Sequence, residues 1–327
     1  MPKISVIIPV FNVEPFVRRC LLSAINQSFR DIEIIVVDDC GSDKSIDIVR
    51  SFNDPRIRIV SNARNLGLLQ ARIAGVKVAL GDYIIFLDSD DFLDLNALEK
   101  VYEKAIKSDF DYVSFFYYYY RKIKGIDIKD SSNDPLLDPN YQYVEGPFNP
   151  NELEFNNRDD FIKYIKSNSF GWNIWARLIK REKYLQALTY FEDMHINVAE
   201  DVIQNYVLWN ICNSFAFIKD RFYFYCENPN SLTQNANLKK LEVFVKDHKE
   251  VIKKIKELKR VFGGGVTWKY LHILKHEKNR QSAHVAFLKS DRGLFSKIRF
   301  RIILNILRIK IRLEQIFYGI MRRLKLA

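Results

Sequence analysis

Nothing in the 327 residues approaches the ~18 consecutive apolar residues that a membrane-spanning helix needs, so lipid contact is expected at a surface and not across a bilayer. Cysteine is scarce. Cys20, Cys40, Cys212 and Cys226 form no Cys-x-x-Cys pair and share no metal-ligand spacing with the five histidines. That excludes a disulfide framework and a zinc site, and it fits a reducing cytoplasm. No secretory leader is legible: the first apolar run, Ile4–Phe11, is short, lacks a small-residue cleavage site and reads better as a strand. Internal repeats are also missing. Acidic residues are nearly absent from the last quarter, where residues 251–327 carry 20 Lys+Arg against 4 Asp+Glu; residues 1–250 carry 31 against 36. The net charge of +11 therefore belongs to the C-terminal region, the pattern of an attached surface-binding segment.

What is present in the first half is a regular alternation. Ile4–Val10 is a continuous apolar strand and Val17–Asn26 an apolar-striped helix. A second buried strand, Ile32–Val37, stops at Asp38-Asp39, a helix follows to about Phe52, and Ile57–Val60 is a third strand. Leu66–Leu80 reads as a helix, Tyr83–Leu87 as a fourth strand stopping at Asp88-Ser89-Asp90-Asp91, Asn96–Ser108 as a helix and Tyr112–Tyr120 as a strand. Strands separated by 10–15-residue helices predict an α/β fold with a largely parallel sheet. Residues 121–158, dense in Gly, Pro, Asn and Asp without sustained period, are expected to be a surface insertion. Beyond them, helices are expected around 159–166, 181–187 and 201–213, with a strand at Phe215–Tyr225 and mainly helix from Leu238. The division is thus a domain over 1–235 and a helical, basic region over 236–327.

Asp38-Asp39 and Asp88-Ser89-Asp90-Asp91 both follow the carboxyl ends of apolar strands, the edge at which ligands bind in open α/β sheets. Carboxylates brought together repel unless protons or a cation compensate them, and hard oxygen donors suit Mg²⁺ or Mn²⁺. The same residues also serve as helix caps and turn formers. Glu200-Asp201 opens an apolar helix, as a catalytic base could, or simply as acids that suit the macrodipole. Trp172 and Trp175 could present flat apolar faces to a sugar or pack in the core.

Ile4–Asn12, Val36-Val37-Asp38-Asp39 with Gly41-Ser42-Asp43, Asn65-Leu66-Gly67 through Ala71-Arg72, Phe86–Asp91 and Ala199–Val202 resemble family 2 glycosyltransferases of the GT-A fold, over about residues 1–235. Within that family the sequence looks closest to bacterial lipooligosaccharide β-1,3-galactosyltransferases, through Asp31–Gly41, Asn65–Ala79, Trp172–Lys180 and Ala199–Val202. The resemblance implies a doubly wound mixed sheet with a basic helical extension, and an inverting, metal-dependent transfer of a sugar, galactose first, from a UDP-sugar to a glycan or glycolipid. It implies that Pro9 and Phe11 line the uracil site, that Asp38 and Asp39 meet the nucleoside, and that Arg72 meets base or diphosphate. Asp88 and Ser89 would contact the donor, Asp90 with Asp88 would hold Mn²⁺ or Mg²⁺, and Asp201 would be the base with Glu200 orienting it. Trp172 and Trp175 would border the acceptor.

From Leu294 to Leu326, large aliphatics alternate with Arg and Lys, which predicts attachment to anionic lipid at the inner face of the cytoplasmic membrane. Nucleic acid ranks below lipid, because aliphatic side chains have little use on a phosphate backbone; a packed or dimerising helix is the other reading. A nucleotidyltransferase would also use strand-end carboxylates and a metal, but Pro9–Glu14 lacks the Gly-rich basic loop expected there. The non-enzymatic alternative is a sugar-nucleotide-binding scaffold.

Overall fold

The structure, a computed structural model, describes residues 1–122, 141–145, 152–168, 171–228, 238–263 and 267–289. In chain order its elements are β1 (Ile4–Val10), α1 (Val17–Ile25), β2 (Ile32–Asp38), α2 (Ser45–Arg50), β3 (Ile57–Ser61), α3 (Leu68–Val78), β4 (Tyr83–Phe86), β5 (Phe92–Leu93) and α4 (Ala97–Lys107). They continue with β6 (Tyr112–Lys122), β7 (Tyr141–Glu145), β8 (Leu153–Phe155), α5 (Arg158–Ser167), β9 (Arg177–Lys180), α6 (Arg181–Phe191), α7 (Glu200–Ile211) and β10 (Phe215–Cys226). Two long helices follow, α8 (Leu238–Phe262) and α9 (Thr267–Lys289).

The strands form one mixed sheet in the order β3-β2-β1-β4-β9-β6-β10-β5, with β7 added beside β6 and β8 beside β10. β1 is parallel to β2 and β4, and β2 to β3. β9 runs antiparallel between β4 and β6, so β6 and its parallel partner β10 point the same way as β1 and β4. The carboxyl ends of β1, β2, β4, β6 and β10 therefore share one edge. The reason for the central position of β1 is in its residues: all seven are buried, as an Ile/Val-rich strand covered on both faces must be. β3, at the sheet margin, is only partly covered.

Helix α3 packs unusually close to the sheet at Gly75, where a Cβ would meet Ile7 Cγ2 inside contact distance and Val37 Cγ2 at 3.1 Å. Both obstacles are β-branched side chains on central strands, with little freedom to move. Gly75→Ala is expected to destabilise the fold by about 1–3 kcal/mol, read as a fall of several degrees in thermal midpoint. An unchanged midpoint would show that the helix can shift outward freely.

The sheet differs from the sequence expectation in the segment 121–158. It is not wholly a surface insertion: β6 runs on to Lys122, β7 pairs antiparallel with it, and β8 pairs with β10. Strands of five and three residues set among Asn, Pro and Gly are too short to build a visible period. The two-residue β5 escaped for the same reason.

The chain divides into two compact units, Met1–Ile196 with Glu200–Pro229, and Asn197–Ala199 with Asn230–Ala327. In the second, α8 buries Leu241, Val251, Ile252, Ile255 and Leu258, and its buried Asp247 accepts hydrogen bonds from the Asn197 and Val198 amides at 2.8 and 3.2 Å. No helix among the described residues is long and apolar enough to cross a membrane. The segment 294–326, expected to lie on lipid, is outside the described residues.

Candidate active site

The loops at the carboxyl edge of the sheet are fixed one after another by short polar side chains. At the end of β1, Phe11 is 45% exposed and Asn12 takes a positive φ of 53°, which turns its Oδ1 to accept from the Ser42 amide at 2.7 Å. Pro9 is buried within β1. The β1 and β2 ends are stitched by the Asp39 amide donating to Val10 O at 3.0 Å. Asp38 Oδ1 accepts from the Cys40 amide at 3.0 Å. Asp39 is 3% exposed and is taken up with the following loop: Oδ1 accepts from Asn62 Nδ2 at 2.7 Å and the Leu66 amide at 2.9 Å, Oδ2 from the Gly67 amide at 2.9 Å. Gly67 has a φ of 88°, which a side chain would strain, and it opens α3. Asp39 thereby sets the start of the helix that carries Arg72.

Arg72 is the centre of the arrangement. Its guanidinium is buried, with Nη2 donating to Asp88 Oδ1 at 2.8 Å, and Nη1 to Asp201 Oδ1 at 2.8 Å and Glu200 Oε1 at 3.1 Å. One cation thus joins the carboxylate after β4 to the pair that opens α7, residues separated by more than a hundred positions in the chain. Burial opposes charge on Arg72, but Asp88, Asp201 and Glu200 more than offset this and hold its pKa well above the ordinary arginine value. Glu200 is pushed well up by burial and then by the Asp201 charge. Asp201 is raised by burial, with Arg72 acting against the rise and Asp88 adding to it. Both acids are therefore held above the ordinary carboxylate range, burial being the first cause for each.

The turn after β4 is built differently at each acid. The Asp88 amide donates to the Tyr223 hydroxyl at 3.2 Å, and that hydroxyl donates to Asp91 Oδ2 at 2.7 Å. Asp91 Oδ1 accepts from the Cys226 amide at 2.7 Å, so this acid fastens the turn to β10 and does not cap α4. Burial, then Asp90 and Asp88, push Asp91 well up. Asp90 Oδ2 accepts from Asn228 Nδ2 at 2.8 Å, and its carbonyl accepts from Arg19 Nη2 at 2.8 Å. Burial and then Asp88 raise Asp90 as well. Ser89 is buried within the turn. Tyr223→Phe would leave the Asp91 carboxyl and the Asp88 amide each short of a partner, an expected loss of about 1–3 kcal/mol measurable by denaturant unfolding.

The donor set suits a hard cation. Asp88 and Asp90 offer oxygens from one turn in which burial first and the Asp88 charge second raise Asp90, and a divalent ion would relieve the repulsion. Among the described residues no group of three or more His, Cys, Asp or Glu converges as a protein-only cage. The remaining ligands would have to come from phosphate oxygens and water, the usual manner for Mg²⁺.

The aromatic segment is distributed between wall and interior. Trp175 is 8% exposed and stacks on Tyr223 at 4.5 Å and Tyr225 at 5.3 Å, so it braces the tyrosine that holds the Asp88 turn. Trp172 is half-buried, and its carbonyl accepts from Asn205 on α7. Sequence reasoning missed Tyr223, Asn228 and Arg19. Asn228 opens a polar loop whose remainder, 229–233, lies outside the described residues; for Tyr223 no local signal exists, since it is one aromatic in a strand full of them.

Comparison with known proteins places this geometry. Residues 5–166 match the family described as Glycosyl transferase family 2. The chain is 33% identical over 236 residues to the uncharacterized glycosyltransferase EpsJ of Bacillus subtilis, covering 72% of this chain and 64% of EpsJ. It is 28% identical over 239 residues to the cholesterol galactosyltransferase of Borreliella burgdorferi, covering 72% of this chain and 63% of that protein. The chain thus spans just under two thirds of the length of both relatives. Among solved structures, S. aureus TarS 1-349 in complex with UDP-GlcNAc superimposes with a TM-score of 0.63 over 93% of this chain and 80% of that one, at 19% identity. At that identity the likeness shows the fold, which is of the GT-A type.

Proposed function

We propose, from the match of residues 5–166 to glycosyl transferase family 2, that the chain is an inverting transferase moving a sugar from a UDP-sugar to a glycan acceptor. The observation that carries this reading is the single guanidinium of Arg72 joining Asp88, on the donor side, to Glu200 and Asp201. Phe11, exposed at the end of β1, is suited to stack on uracil, with Pro9 behind it and Asp38 and Asp39 orienting the nucleoside. Asp88 and Ser89 contact the donor, and Asp90 with Asp88 would hold Mn²⁺ or Mg²⁺. When bound, that ion supplies Lewis-acid stabilisation of the charge left on the departing nucleotide. Asp201 takes the proton of the attacking acceptor hydroxyl, and Glu200 orients it. Attack opposite the leaving group converts an α-linked donor into a β-linked product. Trp172 borders the acceptor side, with the buried Trp175 behind it bracing Tyr223.

The finer assignment is galactose in β-1,3 linkage on a bacterial lipooligosaccharide. It is supported by the segments Asp31–Gly41, Asn65–Ala79 and Trp172–Lys180, and by the relative named a cholesterol galactosyltransferase. N-acetylglucosamine is the second donor to test, because TarS was crystallised with UDP-GlcNAc. The decisive experiment screens UDP-sugars with Mn²⁺ against labelled glycosides, reading product mass and anomeric configuration. UDP binding without transfer or donor hydrolysis would leave only a sugar-nucleotide-binding protein.

Work at the inner face of the cytoplasmic membrane is part of the same reading, carried by the charge asymmetry of the chain. Removal of 292–327 is expected to abolish sedimentation with vesicles containing anionic lipid while sparing transfer to a soluble acceptor. Undiminished sedimentation would defeat the lipid assignment.

A further inference from the structure

We propose that Arg72 acts as a positioning residue that aligns the base with the donor, and does not itself grip the donor's base or diphosphate. The inference rests on the transferase reading above. Three observations support it. The Arg72 side chain is only 1% exposed, so a ligand could grip it only if the surrounding wall opened. Its terminal nitrogens are already engaged, Nη1 by two carboxylates and Nη2 by a third. Its Nε is buried without a hydrogen-bond partner, a cost accepted to aim the fork at the acids.

The surroundings fix the fork from a second layer. Arg72 lies over the Phe86 ring at 5.6 Å, and Phe86 packs edge-on against Tyr184 at 5.3 Å. The Tyr184 hydroxyl donates to Gln204, whose Nε2 donates to Glu200 O at 3.0 Å. The start of α7 is thus held from two elements, by Arg72 of α3 through Glu200 and Asp201 and by Tyr184 of α6 through Gln204, a residue of α7 itself. Arg72 cannot be displaced without disturbing the geometry between Asp88 and Asp201.

Transfer needs that geometry. As the acceptor oxygen forms its bond to the anomeric carbon, its proton passes to the Asp201 carboxylate. The bond from that carbon to the phosphate oxygen breaks, and its electron pair leaves with UDP. Both events require Asp201 on the acceptor side and Asp88 on the donor side in fixed register, since small misplacements of reacting groups cost large factors in rate. A planar fork can bridge two carboxylate sites at once, whereas an ammonium is a point charge. Charge alone therefore does not replace Arg72.

The test compares the full-length wild type with Arg72→Lys and Arg72→Met, measuring kcat, donor KM, UDP affinity by calorimetry and thermal midpoint. Arg72→Lys is expected to stay folded, to bind UDP within about threefold of wild type, and to lose at least about tenfold in kcat. Arg72→Met is expected to lose more, so that lysine gives partial rescue. A lysine variant with wild-type kcat and weakened UDP binding would overturn the inference in favour of a donor contact. A loss of activity that matches the loss of folded protein would overturn it in favour of a purely structural role. A wild-type protein inactive with every donor would remove the transferase reading, and this inference with it.

Discussion

Asp201→Asn is expected to abolish measurable transfer while leaving UDP affinity close to that of the wild type. Asparagine preserves the shape and can still accept from Arg72 Nη1, but it cannot take the acceptor proton. General-base catalysis contributes about 10²–10⁴-fold, so a loss of at least that order in kcat is expected, with donor KM little changed. Near wild-type turnover in this variant would show that another group receives the proton. The same assignment fixes a pH signature. Burial raises Asp201 and Glu200 above ordinary carboxylates, and the base must be ionised to act. Activity should fall as pH drops through the raised value, at a higher pH than an unperturbed aspartate would allow. The stability linkage has the opposite sense: a raised carboxyl stabilises the folded state at acid pH, and that contribution is lost as pH rises through its folded pKa.

Asp90→Ala is expected to remove the metal dependence of UDP binding. Asp90 shares its turn with Asp88, yet the two differ in their partners. Asp88 is tied to the buried Arg72, whereas Asp90 Oδ2 is held by the neutral side amide of Asn228. An acid raised by burial and by like charge, whose side chain is held among the described residues by a neutral amide, gains most from a cation, so Asp90 is the stronger ligand candidate. Even outer partners of a metal site cost about 10–100-fold when removed, and a direct ligand should cost no less. Calorimetric titration with UDP, with and without Mn²⁺, reads the effect: the wild type should gain affinity from the ion and the variant should not. An equal gain in both would take Asp90 out of the metal site.

Much of this arrangement was legible in the order of residues because local rules govern it. β1 and β2 could be read since an all-buried parallel strand is a run of Ile and Val, and their acidic ends could be assigned to one sheet edge by topology alone. Asp88, Glu200 and Asp201 were legible as neighbours only through the family resemblance, since no spacing rule links positions so far apart in the chain. The bond of Asp39 to the amides of Leu66 and Gly67 was not legible, because no spacing rule says which later loop a strand-end carboxylate will hold. Nor was the burial of Arg72, whose charge suggested an exposed contact. Tyr223 and Trp175 were hidden by composition: where Tyr and Phe fill a strand, only packing distinguishes the ring that supports the Asp88 turn from one that fills the core.

The long sequence separation of the Arg72 bridge bears on how the protein is made. Arg72 and Asp201 stand 129 residues apart. During synthesis, the strand ends that carry Asp39 and Asp88 in their following loops leave the ribosome well before the helix that carries Asp201. At ~5–20 residues per second, Arg72 spends several seconds without two of its three acidic partners. A nascent chain at that stage has only Asp88 to compensate the Arg72 cation, so this half of the protein should settle into its final packing only once α7 has emerged.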